Sequence, residues 1–231
     1  MIAHYAGGER GARAAARAGS AVVVVDAFRA STTIAALVQK GARVVPVASI
    51  EEARAYAGAD LRAGERGGAK LAGFDLGNSP TEVLESEVPP GSTVVLSTTN
   101  GTRVAEAASG APAVVVGAFV NASALADELA VGDHGSLVVV GCGWEGRRAS
   151  EDEAAAGAIL HRLGQRGARL DGRAMRVVQA YRSRPASALR DNRAARRLKR
   201  LGYERDLDFC LREDVMAVVP RLVGVAFVGS E

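Results

Sequence analysis

Four short, valine-rich runs constrain this chain more than anything else in it. Residues 21–25, 94–96, 113–116 and 137–140 are brief, apolar and dominated by β-branched side chains. A strand with one wet face alternates apolar and polar residues. A strand without that alternation is covered on both faces, as in a parallel sheet with helices above and below it. A fifth, shorter run at 43–47 belongs with them.

Helical patterns fill the intervals. Residues 32–40 stop at Gly41, and 50–57 follow Ser49, with Glu52 placed for a capping box. Residues 122–130 and 151–164 repeat the scheme, the latter opened by Ser150 with Glu153 in the reciprocal position. Strand and helix alternating at this spacing predict an α/β fold with a mainly parallel sheet flanked by helices. After Gly164 the texture turns helical, at 172–182, 185–201 and 204–212, before an apolar stretch at 215–228 broken by Pro220. The reading is a single domain over 1–231, with two prospective lobes at about 20–165 and 166–231 and a cleft between them. Residues 60–90 are rich in Gly and Pro and poor in periodicity, and a connection that long inside a domain is usually functional.

The composition narrows the setting. No apolar run approaches the roughly 18 residues that a membrane span needs, and residues 1–20 lack the apolar block of a secretion signal. Cys142 and Cys210 are too few for a disulfide framework and lack metal-ligand spacing, so the expectation is two reduced thiols in a cytoplasmic protein. The net charge of +3 is unevenly spread, with fourteen Lys or Arg against three acids between 162 and 205. A nucleic-acid binder could use such a block, but no recognition motif accompanies it. Solvated helix faces are the preferred reading, with neither a nucleic-acid nor a membrane partner expected.

The chemistry-bearing residues follow the strands. Asp26 comes directly after 21–25, at the carboxyl end of a sheet where open α/β folds place ligands. Arg29, Ser31 and Thr32 then offer a charged fork and helix-start donors for an anion, or Asp26 and Ser31 simply cap the helix. The string Gly64-Glu65-Arg66-Gly67-Gly68, followed by Gly73-Phe74-Asp75-Leu76-Gly77-Asn78-Ser79-Pro80, interleaves glycines with Glu65, Arg66, Asp75 and Asn78 as oxygen ligands and a clamp. Ser97, Thr98, Thr99, Asn100, Gly101 and Thr102 form a turn over-supplied with donors for mere capping, suited to phosphate oxygens. Asn121 ends another strand turn, as a ligand or a cap. In the cluster 151–153 the helix dipole explains part of the acidity, and Asp152 is the carboxylate best placed to face a metal.

Two rival readings have a foothold. Gly141, Gly143 and Gly146 match a GxGxxG spacing, the mark of a nucleotide-binding oxidoreductase, but they lie after a late strand without the acidic residue about twenty positions on. A non-catalytic nucleic-acid binder would use the 162–205 block. The histidines His4, His134 and His161 are scattered, and no GxSxG elbow is present.

Taken in order, the segments 25–33, 64–68, 73–80, 97–102, 117–121 and 146–152, with the late 208–220 stretch, resemble the 2-phosphosulfolactate phosphatase family over about residues 20–220. The resemblance implies a Mg²⁺-dependent phosphatase with its own α/β fold. It would cleave phosphate from 2-phosphosulfolactate, or a related small phosphorylated hydroxy acid, in a step serving coenzyme M synthesis. A homo-oligomer is compatible with it. On this reading Mg²⁺ lies among Asp26, Glu65, Asp75 and Asp152; Asp26, Arg29, Glu65 and Asp75 are catalytic. Ser31, Thr32, Arg66, Asn78, the 97–102 loop and Asn121 would hold the substrate. Asp26 either activates water or attacks phosphorus itself. Phe28 stands where haloacid-dehalogenase enzymes carry a second Asp, and Gly143 stands where the resembled family commonly has a Thr.

Overall fold

Valines 22 to 25 point alternately to opposite faces of a sheet, and all of them are buried. Val22 and Val24 join one core with helices on that face, while Val23 and Val25 join a second core on the other. This double covering is why the run contains no polar residue. The structure, a computed structural model, describes residues 1–132 and 134–229.

The chain opens with β1 (Ile2–Gly7), α1 (Gly8–Arg17), β2 (Ala21–Val25), α2 (Ala30–Gln39), β3 (Arg43–Val47) and α3 (Ile50–Ala55). Then come β4 (Leu61–Arg66), β5 (Ala69–Lys70), α4 (Pro80–Glu85), β6 (Thr93–Ser97), α5 (Gly101–Ala108) and β7 (Val114–Val116). A short 3₁₀ turn, Phe119–Asn121, leads into α6 (Ala122–Val131), β8 (Ser136–Gly141), α7 (Ser150–Gln165), β9 (Arg169–Leu170) and α8 (Gly172–Ser183). After a second 3₁₀ turn, Ala186–Asp191, come α9 (Arg193–Arg200), α10 (Glu204–Cys210), β10 (Arg221–Val223) and β11 (Ala226–Val228).

Among the described residues these strands form one sheet in the order β5-β4-β6-β3-β11-β10-β7-β2-β8-β1-β9. Strands β4, β6 and β3 run parallel to one another, as do β7, β2, β8, β1 and β9. The antiparallel hairpin β10–β11 is spliced between the two parallel blocks, against β7 on one side and β3 on the other. Residues on both sides of Gly164 therefore supply strands to the same sheet. Helices α1, α2 and α5 cover one face; α6, α7 and α8 cover the other face of the larger block, and α3 that of the smaller. No helix among the described residues is long and apolar enough to cross a membrane.

The mainly parallel α/β architecture matches the expectation from sequence. Local differences have identifiable causes. Strand β4 carries a buried Gly64 and Glu65, so it gives no apolar signal. The helix expected over 185–201 is cut at Asn192, whose side chain accepts from the Ala195 N–H and starts α9 afresh. Ser150 is the first residue of α7 rather than its cap, and its hydroxyl turns to Glu151. Ser49 does cap α3, accepting from Glu52 N–H at 3.0 Å.

Candidate active site

The carboxyl ends of β2, β4, β6 and β8 meet at one small cavity of about 20 Å³, room for about one water-sized sphere. Asp26, Glu65, Glu151 and Asp152 all line it, with Arg29, Asn78, Asn100, Trp144 and Arg197. Asp26 and Asp152 come from the larger parallel block, Glu65 and Asn100 from the smaller, so the cavity straddles the spliced hairpin.

Each carboxylate is held differently. Asp26 begins the turn after β2, where its N–H donates to Ser31 Oγ at 2.8 Å. Its Oδ1 accepts weakly from Ala30 N–H at 3.4 Å. Gly101, the first residue of α5, lies so close that an added Cβ would stand 3.0 Å from Asp26 Oδ2. The positive end of the α5 dipole therefore faces this carboxylate. Glu65 is anchored on both oxygens: Oε1 accepts from Thr99 N–H at 2.7 Å and its hydroxyl at 2.8 Å, and Oε2 from Gly68 N–H at 2.6 Å. Asp152, in the first turn of α7, joins two loops by accepting from Ala27 N–H at 2.9 Å and Gly143 N–H at 2.7 Å. Glu151 accepts from Asn192 Nδ2 at 2.8 Å.

Crowding four acids in a dry place has an electrostatic cost. Burial, then repulsion from Glu65 and Glu151, pushes Asp26 up to about 7, against the pull of Ala30 N–H and Arg29. Burial and the charges of Asp26 and Glu151 hold Asp152 well above the usual carboxylate range, and burial raises Glu151. Such mutual repulsion is relieved by a proton or by a cation.

Arg29 is 2 % exposed. Its Nη1 donates to Asp206 Oδ2 at 2.6 Å, its Nη2 to Gly68 O at 2.6 Å, and its plane lies 4.1 Å from the Tyr203 ring centroid. Asp206 in turn accepts from Ser79 Oγ at 2.7 Å and Thr81 Oγ1 at 2.5 Å. Arg197 stacks on Trp144 at 3.5 Å, and its buried Nε has no hydrogen-bond partner.

The sequence-derived residues divide clearly. Asp26, Arg29, Glu65, Asn78, Asn100 and Asp152 converge on the cavity. Asp75 does not: Phe74 and Leu76 are buried on either side of it, and the strand-like alternation turns Asp75 outward, where it accepts from Arg62 N–H at 2.7 Å. Asn121 lies inside the fold, accepting from Ala118 N–H and donating to Val116 O and Val218 O. Ser31 donates to Val24 O; Thr32 is fully buried in α2. In the 97–102 loop, Ser97 accepts from Arg66 Nη2 at 2.9 Å, Thr99 serves Glu65, and Thr98 and Thr102 bond to each other. The surplus of hydroxyls is spent on fixing Arg66, Glu65 and the start of α5, with Gly101 giving Asp26 room.

Other cavity residues escaped the sequence reading. Glu151 looked like a dipole acid, and Arg197 lay in the basic block taken as solvated. Arg162, Arg166, Arg190, Lys199 and Arg205 of that block do pair with acids. For Arg197 the signal was the buried stripe Ala194, Ala195 and Leu198, which docks α9. The segment from Gly141 to Gly146 does not open a helix. Trp144 and Arg147 exchange two backbone hydrogen bonds at 2.9 Å, and α7 starts only at Ser150. Gly143, at φ +73°, donates its N–H to Asp152, and a Cβ there would stand 2.3 Å from Arg147 O. The local backbone demands glycine whatever side chain relatives carry.

Among the described residues no three of His, Cys, Asp and Glu form a closed metal cage. The donor chemistry nonetheless suits a small hard cation such as Mg²⁺, which takes oxygen ligands and binds through one or two carboxylates. The mutually repelling Asp26 and Asp152 and the unpartnered, buried Asn78 Oδ1 are oxygen donors of that kind.

A family model described as 2-phosphosulpholactate phosphatase matches residues 9–224. A protein of Synechococcus sp. (strain JA-2-3B'a(2-13)) called "Probable 2-phosphosulfolactate phosphatase" is 41% identical over 220 residues, 90% of each chain. One with the same description from Carboxydothermus hydrogenoformans is 40% identical over 207 residues, covering 87% of this chain and 85% of its own.

Proposed function

The chain belongs to the 2-phosphosulpholactate phosphatase family and is a phosphoric monoester hydrolase, and we propose that it hydrolyses 2-phosphosulfolactate, or a close phosphorylated hydroxy acid, with Mg²⁺ at the cavity around Asp26. The observation that carries this reading is the convergence of four acids and two arginines on one cavity at the carboxyl end of the sheet.

Asp26 and Asp152 would hold the metal, with Glu65 fixed beside them. When bound, Mg²⁺ supplies charge neutralisation for the phosphoryl oxygens. The remaining work falls to the chain itself. Burial and the neighbouring acids raise Asp26 in the metal-free cavity, and a bound cation would reverse that shift. Asp26 therefore acts ionised, orienting the attacking water, whose proton passes to the leaving oxygen. As the water oxygen bonds to phosphorus, the ester P–O bond breaks and its oxygen leaves protonated as the hydroxy acid. Arg29, oriented by Asp206 and Gly68 O, and Arg197, oriented by Trp144, face the transferring group. Phe28 and Leu198 in the cavity wall limit water. We place the reaction in the cytoplasm, in keeping with two free, buried thiols, Cys142 and Cys210.

The test is phosphate release by purified protein from 2-phosphosulfolactate and other phosphorylated hydroxy acids, with Mg²⁺ and with chelator. Metal-dependent release, fastest on the sulfonated ester, is expected. Release unaffected by chelator would remove the metal, and no release from any ester would remove the reading.

A further inference from the structure

The inner cavity is too small for a whole ester and, on balance, acidic. Its four carboxylates face two arginines, one of which is already neutralised by Asp206. A substrate with several negative charges therefore needs positive charge elsewhere. A groove of about 140 Å³ supplies it. The groove adjoins the inner cavity through Trp144, Glu151 and Arg197, which border both, and adds Arg147, Arg148 and Arg193.

These charges are not spent on the fold. Arg148 pairs with Glu153, but neither Arg147 nor Arg193 has an acidic partner among the described residues. Arg197 keeps a buried Nε without a partner. Burial lowers the pKa of this guanidinium, as do the neighbouring Arg193 and Arg29 charges, against Glu65 and Glu151, and it remains a cation. Arg147 and Arg193 without acidic partners, and Arg197 with a free Nε, outnumber the one lining acid, Glu151, and make a site for an anion.

We propose that this groove holds the acid end of the substrate, a sulfonate or carboxylate, through Arg147 and Arg193, with Arg197 on the border between it and the phosphoryl site, while the phosphate ester reaches inward to Asp26. The assignment rests on the phosphatase reading and adds the element that selects an acidic ester over a neutral one. Trp144, the single tryptophan, forms the floor beneath Arg197 and reports occupancy.

The test uses 3-sulfolactate, which carries the acid groups but no phosphate, as a fluorescence titrant of Trp144 in the full chain. Saturable change in the wild-type emission is expected, with affinity falling roughly tenfold or more in an Arg147→Ala/Arg193→Ala double variant. Both side chains are exposed, and a thermal melt verifies folding. Arg17→Ala, at the far end of α1, controls for net charge and should bind as wild type. No saturable response, or equal affinity in the double variant, overturns the groove. Phosphate release is measured alongside: release with arginine-independent binding removes the groove alone, and arginine-dependent binding without release from any ester removes the phosphatase reading alone.

Discussion

Arg29 and Asp206, 177 residues apart in sequence, meet at 2.6 Å with side chains 2% and 0% exposed. The pair brings the turn after β2 to α10 and fixes the guanidinium at the cavity wall. Truncation by Asp206→Ala leaves a buried charge without its partner and should cost about 3–5 kcal/mol. Asp206→Asn, which can still meet Ser79 and Thr81, should cost less in stability yet lower kcat. Chemical denaturation and steady-state kinetics on both variants separate the two effects.

Asp26→Asn removes a carboxylate that would hold the metal and orient water, and one of the repelling charges with it. Phosphate release should fall by roughly 10²–10⁴. The metal-free variant should melt higher than the metal-free wild type at pH 8, because Glu65 and Glu151 lose a like-charged neighbour. A variant that keeps near-normal turnover would remove Asp26 from the chemistry.

The same repulsion sets a pH dependence. Asp26 goes from 3.8 unfolded to about 7 folded, so the folded state binds the extra proton between those values. Its contribution therefore favours folding below about pH 4 and is lost as pH rises toward 7. Asp152 and Glu151 shift in the same direction. Asp171 is lowered instead; its contribution is present above about 4 and is lost in stronger acid, outside this window. Metal-free protein should thus lose melting temperature from pH 5 to pH 8, and Mg²⁺ should restore part of it at the higher pH.

Gly143→Ala tests the loop. A Cβ at φ +73° and 2.3 Å from Arg147 O forces the Trp144–Arg147 turn to open and loosens the bond to Asp152. A destabilisation of about 1–3 kcal/mol is expected, with a shift in Trp144 emission and a loss of activity.

Much of this was legible in the chain because both signals were local. The valine runs marked β2, β6, β7 and β8, and a carboxylate at the end of β2 marked the site. Strand β1 was hidden by its mixed pattern of His4 and Tyr5 among small residues, half-buried at the side of the sheet. The 97–102 loop brings Asn100 to the cavity, while its hydroxyls also hold Glu65 and Arg66; an excess of hydroxyls reads the same in sequence for either task. Asp75 and Asp152 looked equivalent as acids, and only the burial of Phe74 and Leu76 separates them. Asp206 and Arg197 belong to helices whose docking is a long-range event, invisible to spacing.

The β10–β11 hairpin has a consequence for synthesis. A ribosome makes both parallel blocks before the strands that join them, so the nascent chain carries β3 and β7 as open, valine-rich edges until residues 221–228 emerge. Those edges can pair with other chains during the interval. Asp26 and Glu65 stand on opposite sides of that joint, so the seating of the last strands also fixes the two halves of the cavity against each other.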